Sequence, residues 1–312
     1  CHQTAWKTKG ERGLLIYRDG NNWYRFSDGK HGFPVDLVED RLGCSREQAL
    51  DFIARYVVNG VSEQVNIPRR TAQPKPEKPQ GFSPPAHDVS PRRVMAYLIK
   101  TRGIDPEIVK AMIQRKMIAE DSVHHNCLFF GRDENGVIRS CAIRGSTKVK
   151  FRGEAPGGHK SCTFAMTGHN DVLRLFESPI DAMSHATFTR LLGKDWTADH
   201  RLSVNGSGNY ESIKRYLANH TEIRSVWFCY DSDQAGHDGA EASSSRIFED
   251  FPDRELSVMF CSPVKNKDWN EALQLFRVLE SHGIAVREFL APTEFRSIPP
   301  PDCDEDEFEC EL

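Results

Sequence analysis

At 312 residues, with 38% hydrophobic and 28% charged side chains, the chain has the length for two or three soluble domains. No apolar run approaches the ~20 residues that a bilayer-spanning helix needs, so the reading is a cytoplasmic protein with no membrane partner. The net charge of −4 hides an asymmetry: residues 1–170 carry 27 Lys and Arg against 18 Asp and Glu, and residues 171–312 carry 14 against 27. A basic front half beside an acidic back half suits a protein that holds a polyanion with one part and metal ions with the other. The other reading is that the acidic tail, Asp302 to Glu311, supplies seven of those negatives and serves solubility. The nine cysteines are odd in number and scattered, with no Cys-x-x-Cys, which favours reduced buried thiols over a disulfide framework or a zinc site. The chain begins at Cys1 rather than Met, and whether it is a fragment stays open.

Residues 1–60 read as a small first unit. Strand-like runs at Gly13 to Tyr17 and Trp23 to Phe26 flank a Gly/Asn turn. Pro34 to Arg41 reads as a helix closed by Gly43, and Ser45 as the cap of a second helix from Arg46 to Val58. Arg18, Arg25, Lys30 and Trp23 are candidates for contact with a nucleic-acid strand, or else an ordinary solvated face. Residues 61–89 are too rich in proline for helix or central strand and read as a basic, semi-rigid linker.

Residues 90–169 read as a basic second unit. Ser90 is the expected cap of one helix, and Asp105-Pro106 opens another. Strands at Asn126 to Phe130 and Val137 to Ile143 flank Asn135-Gly136, a strong hairpin signal. Arg144, Lys148, Lys150, Arg152 and Lys160 follow.

From residue 170 to 292, strands alternate with helices, which predicts an α/β fold with a parallel sheet. Val172 to Phe176 ends on Glu177; Ser225 to Cys229 runs into Tyr230-Asp231-Ser232-Asp233; and Glu255 to Cys261 precedes Lys267-Asp268. Asp231 and Asp233 lie where a strand ends and a helix begins, the edge at which open α/β sheets bind ligands. Two apart in extended backbone, they point the same way, and with no cationic residue between them they suit a hard cation such as Mg²⁺. The other reading is an Asp-rich turn with Asp233 as N-cap. The loop Val204 to Asn209 reads either as a phosphate approach or as a plain turn, and Ile284 to Leu290 as one more strand. Residues 293–312, Pro-rich and then acidic, are expected to be disordered.

Taken together, Glu177 in E-S-P-I-D-A, Asp231 and Asp233 in D-S-D-Q-A-G, and Lys267-Asp268 in K-D-W-N-E resemble the TOPRIM domain of bacterial primases, topoisomerases and some nucleases. Ile143 to Gly145, Lys150-Phe151, Pro156 and His159 to Ser161 resemble the amino-terminal half of the primase polymerase core, although Arg144 lies one place off that family's Gly-Gly-Arg. W-Y-R-F-S-D-G-K-H-G-F-P-V-D resembles the end of a primase zinc ribbon, with Arg25 and Asp28 where paired cysteines belong. Cys1, His2, His31 and Cys44 are not at ligand spacing, so no zinc is expected.

The resemblance implies a DnaG-type primase of mobile-element kind: a degenerate ribbon (1–60), a linker (61–89), a basic subdomain (90–169), a TOPRIM domain (170–292) and an acidic tail (293–312). It implies Mg²⁺ or Mn²⁺ at Glu177, Asp231 and Asp233, which are also the catalytic residues, with Asp181 and Asp268 assisting. It implies nucleotide and template phosphates at Arg144, Lys150, Arg152, Lys160 and Lys267. The implied partners are single-stranded DNA, nucleoside triphosphates and a replicative helicase or relaxase. No Walker A motif occurs, so the chain is not expected to be a self-contained helicase. A TOPRIM nuclease and a non-catalytic nucleic-acid-binding module are the alternative functions.

Overall fold

A computed structural model describes residues 5–7, 14–17, 23–25, 30–59, 82–88, 90–147, 151–263, 266–291 and 293–300. The chain divides into two compact units, Cys1–Lys78 and Pro79–Leu312. Arg18, Asp28, Lys150, Cys1, His2 and the acidic stretch from Asp302 lie outside the described residues.

In the first unit, β1 (Ala5–Lys7), β2 (Leu14–Tyr17), β3 (Trp23–Arg25) and β4 (His31–Gly32) form an antiparallel sheet in chain order. Two helices follow, α1 (Pro34–Leu42) and α2 (Arg46–Asn59). Gly43 ends α1 at φ 62°, a left-handed position that glycine takes without steric cost. Ser45 opens α2 as expected: its hydroxyl accepts from Gln48 N at 3.4 Å, and Gln48 Oε1 accepts from Ser45 N at 3.0 Å.

Two of the suggested nucleic-acid contacts of this unit, Trp23 and Arg25, are corrected by the structure. Trp23 is core, 3% exposed, with its indole N–H donating to the Phe33 carbonyl at 3.0 Å. Arg25 is also buried and ion-paired to Asp40 at 2.6 Å, and Lys30 pairs with the same carboxylate. Trp23 and Arg25 thus hold the unit together, while Lys30 stays exposed. Cys44 donates its thiol to the Val38 carbonyl at 3.9 Å.

The second unit begins with β5 (His87–Asp88), within the stretch read as linker, which pairs with β6 (Ile118–Asp121). Between them lie α3 (Arg92–Ala96), a π-helical turn (Tyr97–Thr101) and α4 (Pro106–Gln114). The expected Ser90 cap is not the one found. The α3 amides of Arg93 and Val94 donate instead to Glu120 Oε2 at 3.0 and 3.3 Å. A carboxylate nearly thirty positions away in the chain does the capping, and local pattern reading cannot find it. Asp105 does cap α4, accepting from Glu107 N at 2.8 Å.

Each hairpin strand starts one residue later than expected: β7 (Cys127–Arg132) and β8 (Ile138–Arg144) turn through Asn135-Gly136, and β9 (Arg152–Glu154) adds to β8. The five strands β5 to β9 form an antiparallel sheet in chain order.

The back of the unit is a six-stranded sheet in the order β10-β12-β11-β13-β14-β15. Its strands are β10 (Ala165–Met166), β11 (Val172–Phe176), β12 (His200–Ser203), β13 (Ser225–Phe228), β14 (Ser257–Ser262) and β15 (Glu294–Ser297). The four central strands are parallel and the two edges antiparallel. The helices α5 (Pro179–Leu191), α6 (Tyr210–Asn219), α7 (Gln234–Asp250), α8 (Trp269–Glu280) and α9 (Val286–Leu290) complete the layers. This is the expected α/β architecture. The apolar strands bury Leu173, Leu175, Val226, Phe228, Val258 and Phe260, so one core cluster lies along one face of the sheet. Phe176, Met183, Phe188, Leu273 and Phe276 belong to another.

Two sequence expectations at the back are corrected. Ile284 to Leu290 is not a strand: Val286–Leu290 is a short helix whose Phe289 stacks on Phe188 at 6.0 Å. Residues 294–297 are ordered as β15, where their backbone pairs with the otherwise open edge of β14. No helix of the described residues is long and apolar enough to cross a membrane.

Candidate active site at the carboxyl edge of the parallel sheet

The parallel strands β11 and β13 stop side by side, and the chain after each carries an acid. Glu177 follows β11 directly. Ser178 then caps α5, with Pro179 in its first turn. After β13 the chain passes through Cys229 and Tyr230 to Asp231, and Asp233 caps α7 by accepting from Gly236 N at 3.0 Å. The N-cap reading and the ligand reading of Asp233 are therefore not rivals: one oxygen caps and the other remains. Gly236 is required here by close approach, since a Cβ would lie 2.1 Å from the Asp231 carbonyl oxygen.

The two aspartates converge, but on a cation of the chain itself. Lys267 Nζ lies 3.6 Å from Asp231 Oδ2 and 3.4 Å from Asp233 Oδ2. The loop that brings it is tied down by Ser232, whose amide donates to the Lys267 carbonyl and whose hydroxyl donates to Asn266 O, each at 2.8 Å. No cationic residue lies between the carboxylates in sequence, but one arrives from the loop before α8, where Lys267 offsets their charge. Burial lowers the Lys267 ammonium, but the charges of Asp231 and Asp233 outweigh it and raise the pKa.

Glu177 closes the group. Its Oε1 accepts a long bond, 3.4 Å, from the Asp231 amide. Burial and the charge of Asp233 raise its carboxyl above the usual range, against that amide bond and the offsetting charges of Arg152 and Lys267. Asp231 is pushed up to about 7, chiefly by burial, then by the neighbouring charges of Glu177 and Asp268. The loop Val204 to Asn209 is fastened beside Glu177, with Gly206 N donating to the Glu177 carbonyl at 3.0 Å.

Asp181 and Asp268 are differently placed. Asp181 is buried; Ser178 Oγ donates to its Oδ2 at 2.5 Å and Asn270 N to its Oδ1 at 3.0 Å. Asp268 Oδ1 accepts from Glu271 N at 2.7 Å as the cap of α8. Asn270 was not singled out from sequence. It is 3% exposed, donates to Arg102 O and Ser184 Oγ, and accepts from Arg102 and Gln274. The one sequence signal was a polar residue on the face of α8 that buries Trp269, Leu273 and Phe276.

The basic segment comes to the same rim. Arg144 and Arg152 are directly opposite partners on β8 and β9. Like charges so placed repel, which suits a site for an anion between or above them. Arg144 is lowered to about 10 by burial and by Arg152, with Asp181 offsetting. Lys160 is exposed, and its backbone carbonyl accepts from Asn209 Nδ2 at 2.9 Å. Lys150 lies outside the described residues.

Glu177, Asp231 and Asp233 offer oxygen donors only, with net negative charge and an ammonium already drawn to their shared edge. Such a set fits a hard divalent cation. Among the described residues, the groups whose ligand atoms already lie within 4.8 Å of one another are elsewhere: His200, His220 and Glu222, and Asp88, Glu120 and His125. Both have ordinary partners. His200 bonds Tyr216 Oη and the Asn170 carbonyl through its two ring nitrogens, and Glu120 caps α3.

Residues 174–273 match the family model described as Toprim-like, and residues 96–170 match that of a protein family of unknown function, DUF3991. Residues 174–273 form a Toprim-like domain. An uncharacterised protein of Bacillus anthracis is 27% identical over 237 residues, which take in 72% of this chain and 66% of that one, just under two thirds of its length. Among solved structures, the primase fragment of the bacteriophage T7 primase-helicase is 15% identical with a TM-score of 0.44, covering 87% of this chain and 92% of that one. The Aquifex aeolicus primase, with its zinc-binding and RNA polymerase domains, is 12% identical with a TM-score of 0.42, covering 95% and 80%.

Proposed function

We propose that the chain is a primase-like nucleotidyltransferase that joins ribonucleotides on a single-stranded DNA template. The observation that carries this reading is the meeting of Glu177, Asp231 and Asp233 with the opposed Arg144 and Arg152 at one rim. Nucleotidyl transfer asks a protein mainly for positioned charge, negative to hold metal and positive to hold phosphate.

Asp231, Asp233 and Glu177 would hold Mg²⁺ or Mn²⁺, which would supply charge neutralisation for phosphoryl transfer. Glu177, with its raised pKa, accepts the proton of the attacking 3′-hydroxyl. Lys267 offsets the repulsion between the two aspartates and holds them converged before substrate arrives. Arg144 and Arg152 clamp triphosphate or template phosphates, and Lys160 and Lys150 extend that track. Asp181 and Asp268 brace the two loops rather than meeting the metal directly. The setting is a cytoplasmic replication or transfer complex of a mobile element, with a helicase or relaxase as partner.

The test uses the purified chain, single-stranded DNA, labelled ribonucleotides and Mg²⁺ or Mn²⁺. Labelled oligomers are expected. Shortened DNA would make the protein a Toprim nuclease, and retained binding with neither product would make it a non-catalytic module.

A further inference from the structure

Away from the carboxylate rim, α4, the β7–β8 turn and α6 enclose a cavity of about 480 Å³. None of Glu177, Asp231, Asp233 or Lys267 lines it. Its size is in the range of small-molecule sites, roughly 300–1,000 Å³.

Three features of its wall describe a ligand. First, Arg115 and Arg132 line it, and neither has a carboxylate partner among the described residues. Arg132 is aimed by two carbonyls, Gly136 O at 2.6 Å and Lys116 O at 2.7 Å, so its orientation is held while its charge stays uncompensated. A third arginine of the wall, Arg215, is different, because Glu134 already pairs with it. Second, the half-buried Met117, Ala165 and Tyr216 give an apolar surface. Third, Thr163 lines the cavity at 5% exposure, and its hydroxyl has no hydrogen-bond partner among the described residues. A buried hydroxyl is rarely left unpaired, and a ligand that donates or accepts there would satisfy it.

We propose that this cavity is a second small-molecule site, which takes a nucleoside monophosphate or a larger phosphate ester of that kind. The phosphate meets Arg115 and Arg132, the flat apolar body lies on Met117, Ala165 and Tyr216, and a polar edge of the sugar or base meets Thr163. An inorganic anion would use the arginines alone and leave the rest of the wall unfilled. The inference stands apart from the nucleotidyltransferase reading, since none of the carboxylates takes part.

The experiment is calorimetric titration with AMP, and separately with inorganic phosphate, in EDTA so that no metal bridges a nucleotide to the carboxylates. Wild type and Asp231→Asn should bind AMP with affinities within about twofold of each other. Arg115→Glu should weaken AMP by more than about tenfold, the scale of a charged hydrogen bond. Thr163→Val, nearly equal in volume, should weaken it by a smaller factor. Arg115 is exposed and has no carboxylate partner among the described residues, so its variant, which puts an acid at the C-cap of α4, should melt only a few degrees below wild type and show that the fold is kept. Four results would overturn the proposal: no AMP binding at millimolar concentration, equal binding by Arg115→Glu, loss of binding in Asp231→Asn, or phosphate binding as tightly as AMP.

Discussion

Asp233 and Asp181 have the same side chain on the same rim, yet they do different work. Asp181 has both oxygens taken, by the Ser178 hydroxyl and the Asn270 amide, and is buried. Asp233 gives one oxygen to the Gly236 amide and leaves the other facing Lys267. Asp231, its neighbour, pairs with the same lysine. The difference teaches that a carboxylate's role follows from which of its oxygens the fold has already used. The rim around Asp231 and Asp233 keeps acceptors for a ligand. The brace around Asp181 uses them to hold the loop after β11 against the start of α8.

The sharpest break between the two regions should come from charge removal without loss of hydrogen bonding. Asp231→Asn or Asp233→Asn should cut nucleotide incorporation by at least ~10²-fold, the scale on which transition-state charge stabilisation is lost. Asn is as good an N-cap as Asp, so Asp233→Asn should keep α7 and melt within a degree or two of wild type. Next in size, Glu177→Gln should bind template normally and turn over roughly 10²-fold more slowly, measured in single-turnover reactions. Normal turnover at saturation would limit Glu177 to positioning.

On the brace side the readout is stability. Asn270→Ala removes partners of Arg102 O and Ser184 Oγ and should cost about 2–3 kcal/mol, read from denaturant unfolding. A pH-dependent effect should appear at the rim in EDTA. The pKa of Asp231 is raised to about 7 in the folded chain, so the folded state holds its proton more tightly than the unfolded state does. Its ionisation therefore costs stability as pH rises from about 4 towards 7. Asp231→Asn should melt higher than wild type at pH 8, with the gap closing as the pH falls to 4. The smallest effect concerns the basic strands: Arg152→Ala should reduce the salt slope of single-stranded DNA binding by about one released counterion.

Much of the rim was legible in the sequence, because a strand end followed by an acid is a local pattern. Glu177, Asp231, Asp233 and Lys267 each stand at the end or beginning of an element that hydrophobic periodicity finds. The brace was not legible, because its contacts are long-range. Asp181 meets Asn270 across 89 positions, and Arg102 meets it across 168. The same limit hid the Glu120 cap of α3 and the Asp40 pairing that ties Arg25 and Lys30 to α1. The last helix was misread because five apolar-rich residues, Val286 to Leu290, are too few for their period to separate helix from strand. β15 was missed because its strand character comes from pairing with β14 rather than from its own composition.

The most direct test is to measure Mg²⁺ or Mn²⁺ binding, ribonucleotide incorporation on single-stranded DNA, and thermal melting on the same preparation of Asp233→Asn. Metal binding and incorporation should both fall away while the melting curve stays with wild type. An Asp233→Asn protein that binds metal and extends labelled oligomers as wild type does would contradict the assignment of this rim as the working site.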